Sequence, residues 1–309
     1  MKRNPLVTVG ITTYNRPRLL QKALSSVISQ TYPDLEIIIV DDCSPETETE
    51  VLVNKMALKD NRIKYYRQEK NIGAALNVNY LLEKATGEYF MWLCDDDWIG
   101  SDYIEECLSF ILKNPEYLLV SGKTIFYLSD KYLHEGEIID SEDKSPTKRT
   151  LDFYDRHLGT ANCPNFGIIN LKKLSALRLK NIQGHDNVWI ANIAFLGKIK
   201  TLDTVYIYRQ LGGASQSLKK LALTFNYSEF ELKYPFIALW ANIIKDIAWE
   251  SKTYKTLNLF QRLYLLFRLT ILILFNSGKY INRYKTRSMF FKDKEQFLFP
   301  KELTTVSTQ

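Results

Sequence analysis

An alternation in the N-terminal third limits most what this chain can fold into. Short apolar, β-rich runs are each cut off by a polar or acidic cluster and separated by stretches with helical spacing. LVTVGIT, from Leu6 to Thr12, ends in Thr13-Tyr14-Asn15-Arg16-Pro17. Arg18 to Gln30 then places Leu19, Leu20, Ala23, Leu24, Val27 and Ile28 on one helical face. EIIIV, from Glu36 to Val40, is apolar in continuity, as a parallel strand covered on both faces must be, and stops at Asp41-Asp42-Cys43-Ser44-Pro45. A helix around Glu46 to Ala57, a strand Ile63 to Tyr66, a helix Ala74 to Ala85 and a strand Tyr89 to Leu93 continue the series. The pattern predicts a doubly wound α/β sheet. Ligands in such sheets bind beyond the carboxyl ends of the strands, so Thr12 to Arg16, Asp41-Asp42 and Asp95-Asp96-Asp97 are expected to share one cleft.

The acidic triplet carries the sharpest chemistry. Three adjacent carboxylates at a strand end repel one another unless a cation is shared, and the hard ions Mg²⁺ and Mn²⁺ favour such oxygen ligands. An acidic N-cap for a helix starting near Ser101-Asp102 explains the same residues without a metal. Asp41-Asp42 reads either as a solvated turn or as an acceptor for a base N–H or a ribose hydroxyl, and Tyr14 either as loop packing or as a ring stacked on that base. Arg209, ending the strand pattern TLDTVYIYR, offers a fork for a diphosphate or a salt bridge to a nearby Asp.

The stretches VTVGITTYNRPRLLQKALSSVISQTYPDLEIIIVDDCSPETE, NIGAALNVNYLLEKATGEYFMWLCDDDWIGSDYIEE and GHDNVWIANIAFLGKIKTLDTVYIYR together closely resemble the family 2 glycosyltransferases, which are inverting enzymes of the GT-A fold. The resemblance covers roughly residues 5 to 215. It implies a nucleotide-binding, Rossmann-like mixed sheet flanked by helices, with a nucleotide-sugar half over about residues 1–100 and an acceptor half over about 101–217. It places Thr12, Tyr14 and Asp42 at the nucleotide, Asp95 at the ribose, Asp96 at Mn²⁺ or Mg²⁺ with Asp97 as a supporting carboxylate, and Asp186 as the catalytic base; Arg16 and Arg209 are expected beside the nucleotide, Arg209 either on its diphosphate or paired with an Asp. The implied donor is a nucleotide sugar, most readily UDP-linked, and the implied acceptor a saccharide or lipid-linked saccharide in surface polysaccharide synthesis. Three departures stand out: His185 where relatives carry an acidic residue before the base, no basic residue across Gly73 to Asn77, and Gln210-Leu211-Gly212 where relatives often have a His. Two other readings use similar parts. A sugar nucleotidyltransferase needs a Gly-rich basic loop after the first strand, where this chain has TTYNRPR, and a non-catalytic nucleotide-sugar-binding module would have no use for Asp186.

The middle of the chain is less legible. A strand at Leu118 to Phe126 precedes a charged stretch, Asp140 to Arg149, that reads as a loop or mobile flap. Helix Asn187 to Leu196 and the strand Thr201 to Arg209 follow. From about residue 218 the character changes to a helical, basic extension, residues 218–309, with helices at Leu221 to Glu250 and Leu257 to Phe275. The second is apolar nearly all round, yet Arg268 interrupts it, and its cleanest run, Leu269 to Phe275, is far short of the ~20 residues a membrane span needs. With Lys279, Arg283, Lys285 and Arg287 downstream it reads as a packed helix or as one lying on an anionic membrane surface. The balance of 41 basic against 35 acidic residues is too mild to imply nucleic acid. Four scattered cysteines, Cys43, Cys94, Cys107 and Cys163, form no CxxC pair and fit free thiols in a reducing cytoplasm. No secretion signal is read after Met1, so a cytoplasmic protein, peripheral at most on the inner face of the membrane, is expected.

Overall fold

The computed structural model describes residues 4–128, 130–157, 164–174, 177–212 and 228–276. One mixed sheet runs through the fold. Its strands are β1 (Val7–Thr13), β2 (Leu35–Asp41), β3 (Ile63–Arg67), β4 (Tyr89–Cys94), β5 (Asp97–Ile99), β6 (Tyr117–Leu128), β7 (Lys131–Glu135), β8 (Ile168–Asn170) and β9 (Lys198–Leu211), in the spatial order β3-β2-β1-β4-β8-β6-β9-β5 with β7 on β6. β1, β2, β3 and β4 are parallel, which is the predicted alternation. The helices α1 (Pro17–Ile28), α2 (Glu48–Ala57) and α3 (Ala74–Lys84) supply its crossovers. All seven residues of β2 are buried, so both faces of the sheet are covered.

Strand order reverses where β8 runs antiparallel between β4 and β6, and β9 then lies parallel to β6. This second half holds α4 (Tyr103–Lys113), α5 (Pro146–His157), the short α6 (Leu171–Leu174) and α7 (His185–Leu196). Asp102 does sit at the N-cap of α4, but its side chain makes no capping bond. The residues just after the acidic triplet do not enter that helix at once: Asp97 opens β5, which pairs with β9. The charged stretch expected as a flap is instead pinned, since Ser141 and Ile199 exchange backbone hydrogen bonds of 3.0 Å. Arg149, buried inside α5, donates to the carbonyls of Ala194 at 2.6 Å and Phe195 at 2.7 Å, so its charge meets the negative end of α7.

The C-terminal part is helical, as expected, though its anticipated first helix is broken: α8 (Glu229–Lys233) ends before α9 (Pro235–Lys245), and a π-turn spans Asp246–Glu250. Pro235 cannot donate into the preceding turn, which accounts for the break. The rest of that helix reading, residues 221–227, the expected boundary at 217–218, Cys163 and the cations beyond residue 276 lie outside the described residues. A last helix, α10, spans Leu259–Asn276. By length and composition it alone among the described residues is apolar enough to cross a membrane, which removes the length objection raised from sequence. Its inner face nevertheless belongs to the fold: Leu265, Leu269 and Ile273 are wholly buried. Tyr254, just before α10, packs edge-on against Phe195 of α7 at 4.8 Å.

Candidate active site

The carboxyl ends of β1, β2 and β4 meet. In register, Thr13 lies opposite Asp41 and Thr12 opposite Cys94, and the Asp42 N–H donates to the Thr13 carbonyl at 3.0 Å. The loops beyond turn sharply through positive φ at Asn15 and Cys43, and the Asn15 N–H donates to Ser44 Oγ at 2.7 Å, tying the two loops together. Asp41 accepts from Ser44 and from the Tyr65 hydroxyl, so it holds the loop. The Asp42 carboxylate accepts the N–H groups of Ile72 at 2.7 Å and Gly73 at 2.9 Å. Gly73, at φ 85°, is the N-cap of α3, and a Cβ would be strained there. Burial pushes Asp42 above the usual carboxylate range, while the two backbone donors pull the other way. Thr12 accepts from Trp92 Nε1 at 3.3 Å, and Tyr14 stands exposed at the rim.

The acidic triplet is divided between a turn, which holds Asp95 and Asp96, and β5, which Asp97 opens. Asp95 is fully buried; it accepts from Thr13 Oγ1 at 2.8 Å and meets Arg16 Nη2 at 2.8 Å. Arg16 Nη1 reaches Asp96 at 2.9 Å, so one guanidinium bridges two neighbouring carboxylates. Asp97 accepts from Arg209 Nε at 3.1 Å and from the Gln210 N–H at 3.1 Å. The Arg209 guanidinium also lies over the Phe166 ring, 4.7 Å from its centroid. Burial raises both Asp95 and Asp97 toward neutral pH, opposed by Arg16 and Arg209 respectively and reinforced by the charge of Asp96. Two arginines therefore hold together charges that three adjacent carboxylates could not sustain alone.

Asp186 belongs to a second group, on the first turn of α7, where it accepts its neighbour's Asn187 N–H at 2.8 Å. His185, His157 and Tyr154 feel its charge. Burial holds both histidines below their ordinary range, His157 at about 4. Gly197 turns α7 directly into β9, which is parallel to β6, so α7 runs back along the sheet and its first turn lies on the side of the strands' carboxyl ends. Behind that turn stands the C-terminal part. Gly184, at φ 77°, would bring a Cβ within 2.2 Å of Leu239 Cδ1, the Asn242 amide donates to the Gln183 carbonyl at 3.2 Å, and Glu231 accepts the Gln183 N–H at 3.3 Å.

Residues 8–177 match the family model described as Glycosyl transferase family 2. The chain belongs to this family. An uncharacterized glycosyltransferase of Haemophilus influenzae is 36% identical over 222 residues, covering 72% of this chain and 83% of its own. A GalNAc(5)-diNAcBac-PP-undecaprenol beta-1,3-glucosyltransferase of Campylobacter jejuni is 34% identical over 145 residues, 45% of each chain. WcaA of Escherichia coli, named for colanic acid biosynthesis, is 34% identical over 164 residues, and this chain spans 56% of its length. Among solved structures, Staphylococcus aureus TarS 1–349 in complex with UDP superposes with a TM-score of 0.56 at 16% identity, covering 96% of this chain and 94% of that one. A Pyrobaculum calidifontis mannosyltransferase in complex with GDP-Man and Mn²⁺ superposes at 0.54 and 17%, covering 94% and 89%. The fold is that of the GT-A glycosyltransferases.

A family 2 domain of this kind raises the question of a divalent cation, and the donor set answers it. Ligand atoms of Cys94, Asp96 and Asp97 all lie within 4.8 Å of one another. Burial pushes the Cys94 thiol well above its ordinary range, and sulfur is in any case too soft a donor for Mg²⁺ or Mn²⁺. The two carboxylates fit a hard cation that completes its shell with water and phosphate oxygens. The sequence reads Cys94 only as one of four scattered free thiols and does not point to Phe166, His157 or Leu239. Only Cys94 carried a local sign, its place between an apolar strand and the triplet; the others reach the site through contacts far apart in sequence.

Proposed function

We propose that this family 2 domain transfers a sugar from a nucleoside-diphosphate donor, UDP-linked, to a hydroxyl of a saccharide or lipid-linked saccharide, with inversion at the anomeric carbon. The observation that carries the reading is the shared register of the carboxyl ends of β1, β2 and β4, which sets the Asp42 N–H on the Thr13 carbonyl and the Thr13 hydroxyl on Asp95, beneath the Arg16 bridge to Asp96. UDP and UDP-GlcNAc complexes of TarS support the donor class, and the Campylobacter relative, named for a PP-undecaprenol acceptor, supports the lipid-linked acceptor. WcaA and the Bacillus subtilis relative TuaG, named for teichuronic acid biosynthesis, support surface polysaccharide assembly. We place the reaction in the cytoplasm, at the inner face of the membrane.

In this reading Thr12, Tyr14 and Asp42 form the rim that receives the base, Tyr14 offering an exposed ring face. Asp95, buried beneath the ribose side, acts there through Thr13 and Arg16, which hold its carboxylate. Asp96 and Asp97 hold Mn²⁺ or Mg²⁺, which when bound supplies charge stabilisation to the departing diphosphate. Arg209, fixed by Asp97 and Phe166, adds a cation beside that leaving group. Asp186 takes the proton of the acceptor hydroxyl as it attacks in line, a step worth about 10² to 10⁴ in rate, or roughly 3 to 5 kcal/mol of barrier. His185, kept neutral by burial at the head of α7, positions the turn rather than competing for that proton.

The test is calorimetric titration of UDP-sugars with and without Mn²⁺, coupled to turnover on a panel of glycosides. Asp186→Asn should keep donor affinity within about twofold while turnover falls by roughly 10² or more. Asp96→Asn should lose the Mn²⁺-dependent part of donor binding. Undiminished turnover in Asp186→Asn, or unchanged Mn²⁺ dependence in Asp96→Asn, overturns the assignment of that residue.

A further inference from the structure

We propose that the outer face of α10, with Trp249 beside it, is a docking surface that lies in the interface of an anionic lipid bilayer. The inference deepens the reading above only in giving the acceptor a membrane to sit in; the surface itself is argued from the helix and its charge.

Along α10 the side chains divide sharply. Leu265, Leu269 and Ile273 are wholly buried, Trp240 donates to Thr270 at 3.3 Å, and the Arg262 guanidinium donates to the carbonyls of Ala248 at 2.9 Å and Tyr254 at 3.0 Å. The opposite face carries Phe260, Leu263, Tyr264 and Phe267 and, two turns further on, Leu274 and Phe275, all exposed, with Phe260 and Phe275 at 83% and 84%. Trp249, on the preceding turn, is 65% exposed. Singly exposed apolar residues are ordinary, but six large apolar side chains, four of them aromatic, gathered on one helix face form an interaction surface. Aromatic rings on one face and cations at the edge are the composition of helices that lie in a membrane interface.

Charge selects the occupant. From Ser251 to Lys292 the sequence has nine Lys and Arg and no acidic residue, whereas the remainder of the chain has 32 basic against 35 acidic. The entire positive excess of the protein is thus concentrated around and just after this helix. A second copy would set two such segments against each other and be repelled. A nucleic acid would answer the charge and leave these apolar side chains in water. Anionic lipid answers both, drawing the cations to its headgroups and taking the rings into the acyl boundary. A spanning arrangement would tear Leu265, Leu269 and Ile273 from the core and release Arg262 from its two carbonyls.

The consequence reaches the candidate base. α9 lies between the two sites: Leu239 abuts Gly184, two residues before Asp186, and the next residue, Trp240, bonds to α10. A bilayer on the outer face of α10 would stand about two helix layers, or roughly 20 Å, from the turn that carries Asp186. That is a distance at which a saccharide on a lipid diphosphate meets the base without leaving the membrane.

The experiment sediments the full chain with vesicles of phosphatidylcholine containing roughly 30% phosphatidylglycerol, and with pure phosphatidylcholine. Binding should be at least ~10-fold stronger to the anionic vesicles, fall steeply at about 0.5 M salt, and reverse in alkaline carbonate. The triple variant Phe260→Ser/Phe267→Ser/Phe275→Ser should bind about tenfold more weakly with a melting temperature changed by no more than about 2 °C, since these side chains are mostly exposed. As a second readout, brominated lipid should quench a component of tryptophan emission that Trp249→Phe removes. Equal binding of the triple variant, equal binding to neutral vesicles, resistance to carbonate extraction, absence of Trp249 quenching, or a lipid-free dimer dispersed by the triple variant in place of vesicle binding would each overturn the proposal. UDP titration on the same samples separates the two readings. Lost vesicle binding with intact UDP binding strikes the surface alone, and lost UDP binding in the unmodified protein strikes the transferase reading alone.

Discussion

Lowering the pH from 7 to 5 should expose how much the fold depends on a neutral His157. The ring is buried at the end of α5, stacked on Phe153 at 4.9 Å and 25°, and burial depresses it from 6.5 to about 4 against the opposing pull of Asp186. Over that interval the unfolded chain takes up a proton at this site and the folded protein does not, so the unfolded state binds more protons and stability falls as pH falls. The contribution is whole above about pH 6.5 and is lost progressively down to about 4. Integrating between pH 7 and 5 gives about 2 kcal/mol from this one ring. Asp95 and Asp97 act with the opposite sign. Their folded values are raised to about 7, so they contribute stability at low pH that is lost as pH rises through that value. The total acid response therefore mixes signs, and the informative quantity is the difference between the protein and His157→Gln. Urea unfolding midpoints for both at pH 7 and pH 5 supply it. The variant costs some stability at each pH through lost stacking, but its loss between the two should be smaller than that of the parent by about 2 kcal/mol. Equal losses in the two proteins would refute the claim that His157 is held neutral by burial.

Two further outcomes test the site's scaffolding. Gly184→Ala should cost about 2 kcal/mol in urea unfolding, from a left-handed backbone and a Cβ that displaces Leu239; in a Leu239→Ala background the cost should shrink by about 1 kcal/mol. Strict additivity would mean that α9 does not buttress the Gly184 turn. Arg16→Ala should lower nucleotide-free stability by only about 1 kcal/mol, because Arg16 is partly exposed and Asp95, already raised to about 7, takes up a proton when its counter-charge is removed, and should enlarge the rise in melting temperature produced by Mn²⁺. An unchanged Mn²⁺ response would show that Arg16 does not share its carboxylates with the cation.

The first half of the sheet was legible residue by residue. Glu36 to Val40 is buried on both faces and paired in parallel on both sides, as its unbroken apolar run requires. The clusters after β1, β2 and β4 meet because parallel strands place all their carboxyl ends together. Less was legible where partners are remote. Asp140 to Arg149 looks like a loop by charge, yet Ser141 pairs with Ile199 and Arg149 caps the end of α7. Asp95, Asp96 and Asp97 are three equal carboxylates in the sequence. Their roles diverge because the turn between β4 and β5 leaves Asp95 against Arg16, whereas Asp97 enters β5 and is paired across the sheet with Arg209 of β9, 112 residues away.

Local pattern alone therefore determined the alternating elements, the end of the sheet where ligands gather, and the charge that collects after residue 250, since each of these follows from periodicity or composition over a few turns of chain. Tertiary structure decided which carboxylates stay buried against arginines, which histidines remain neutral, and which face of α10 is left to the outside. These are matters of desolvation and packing, and both depend on neighbours brought together from distant parts of the sequence.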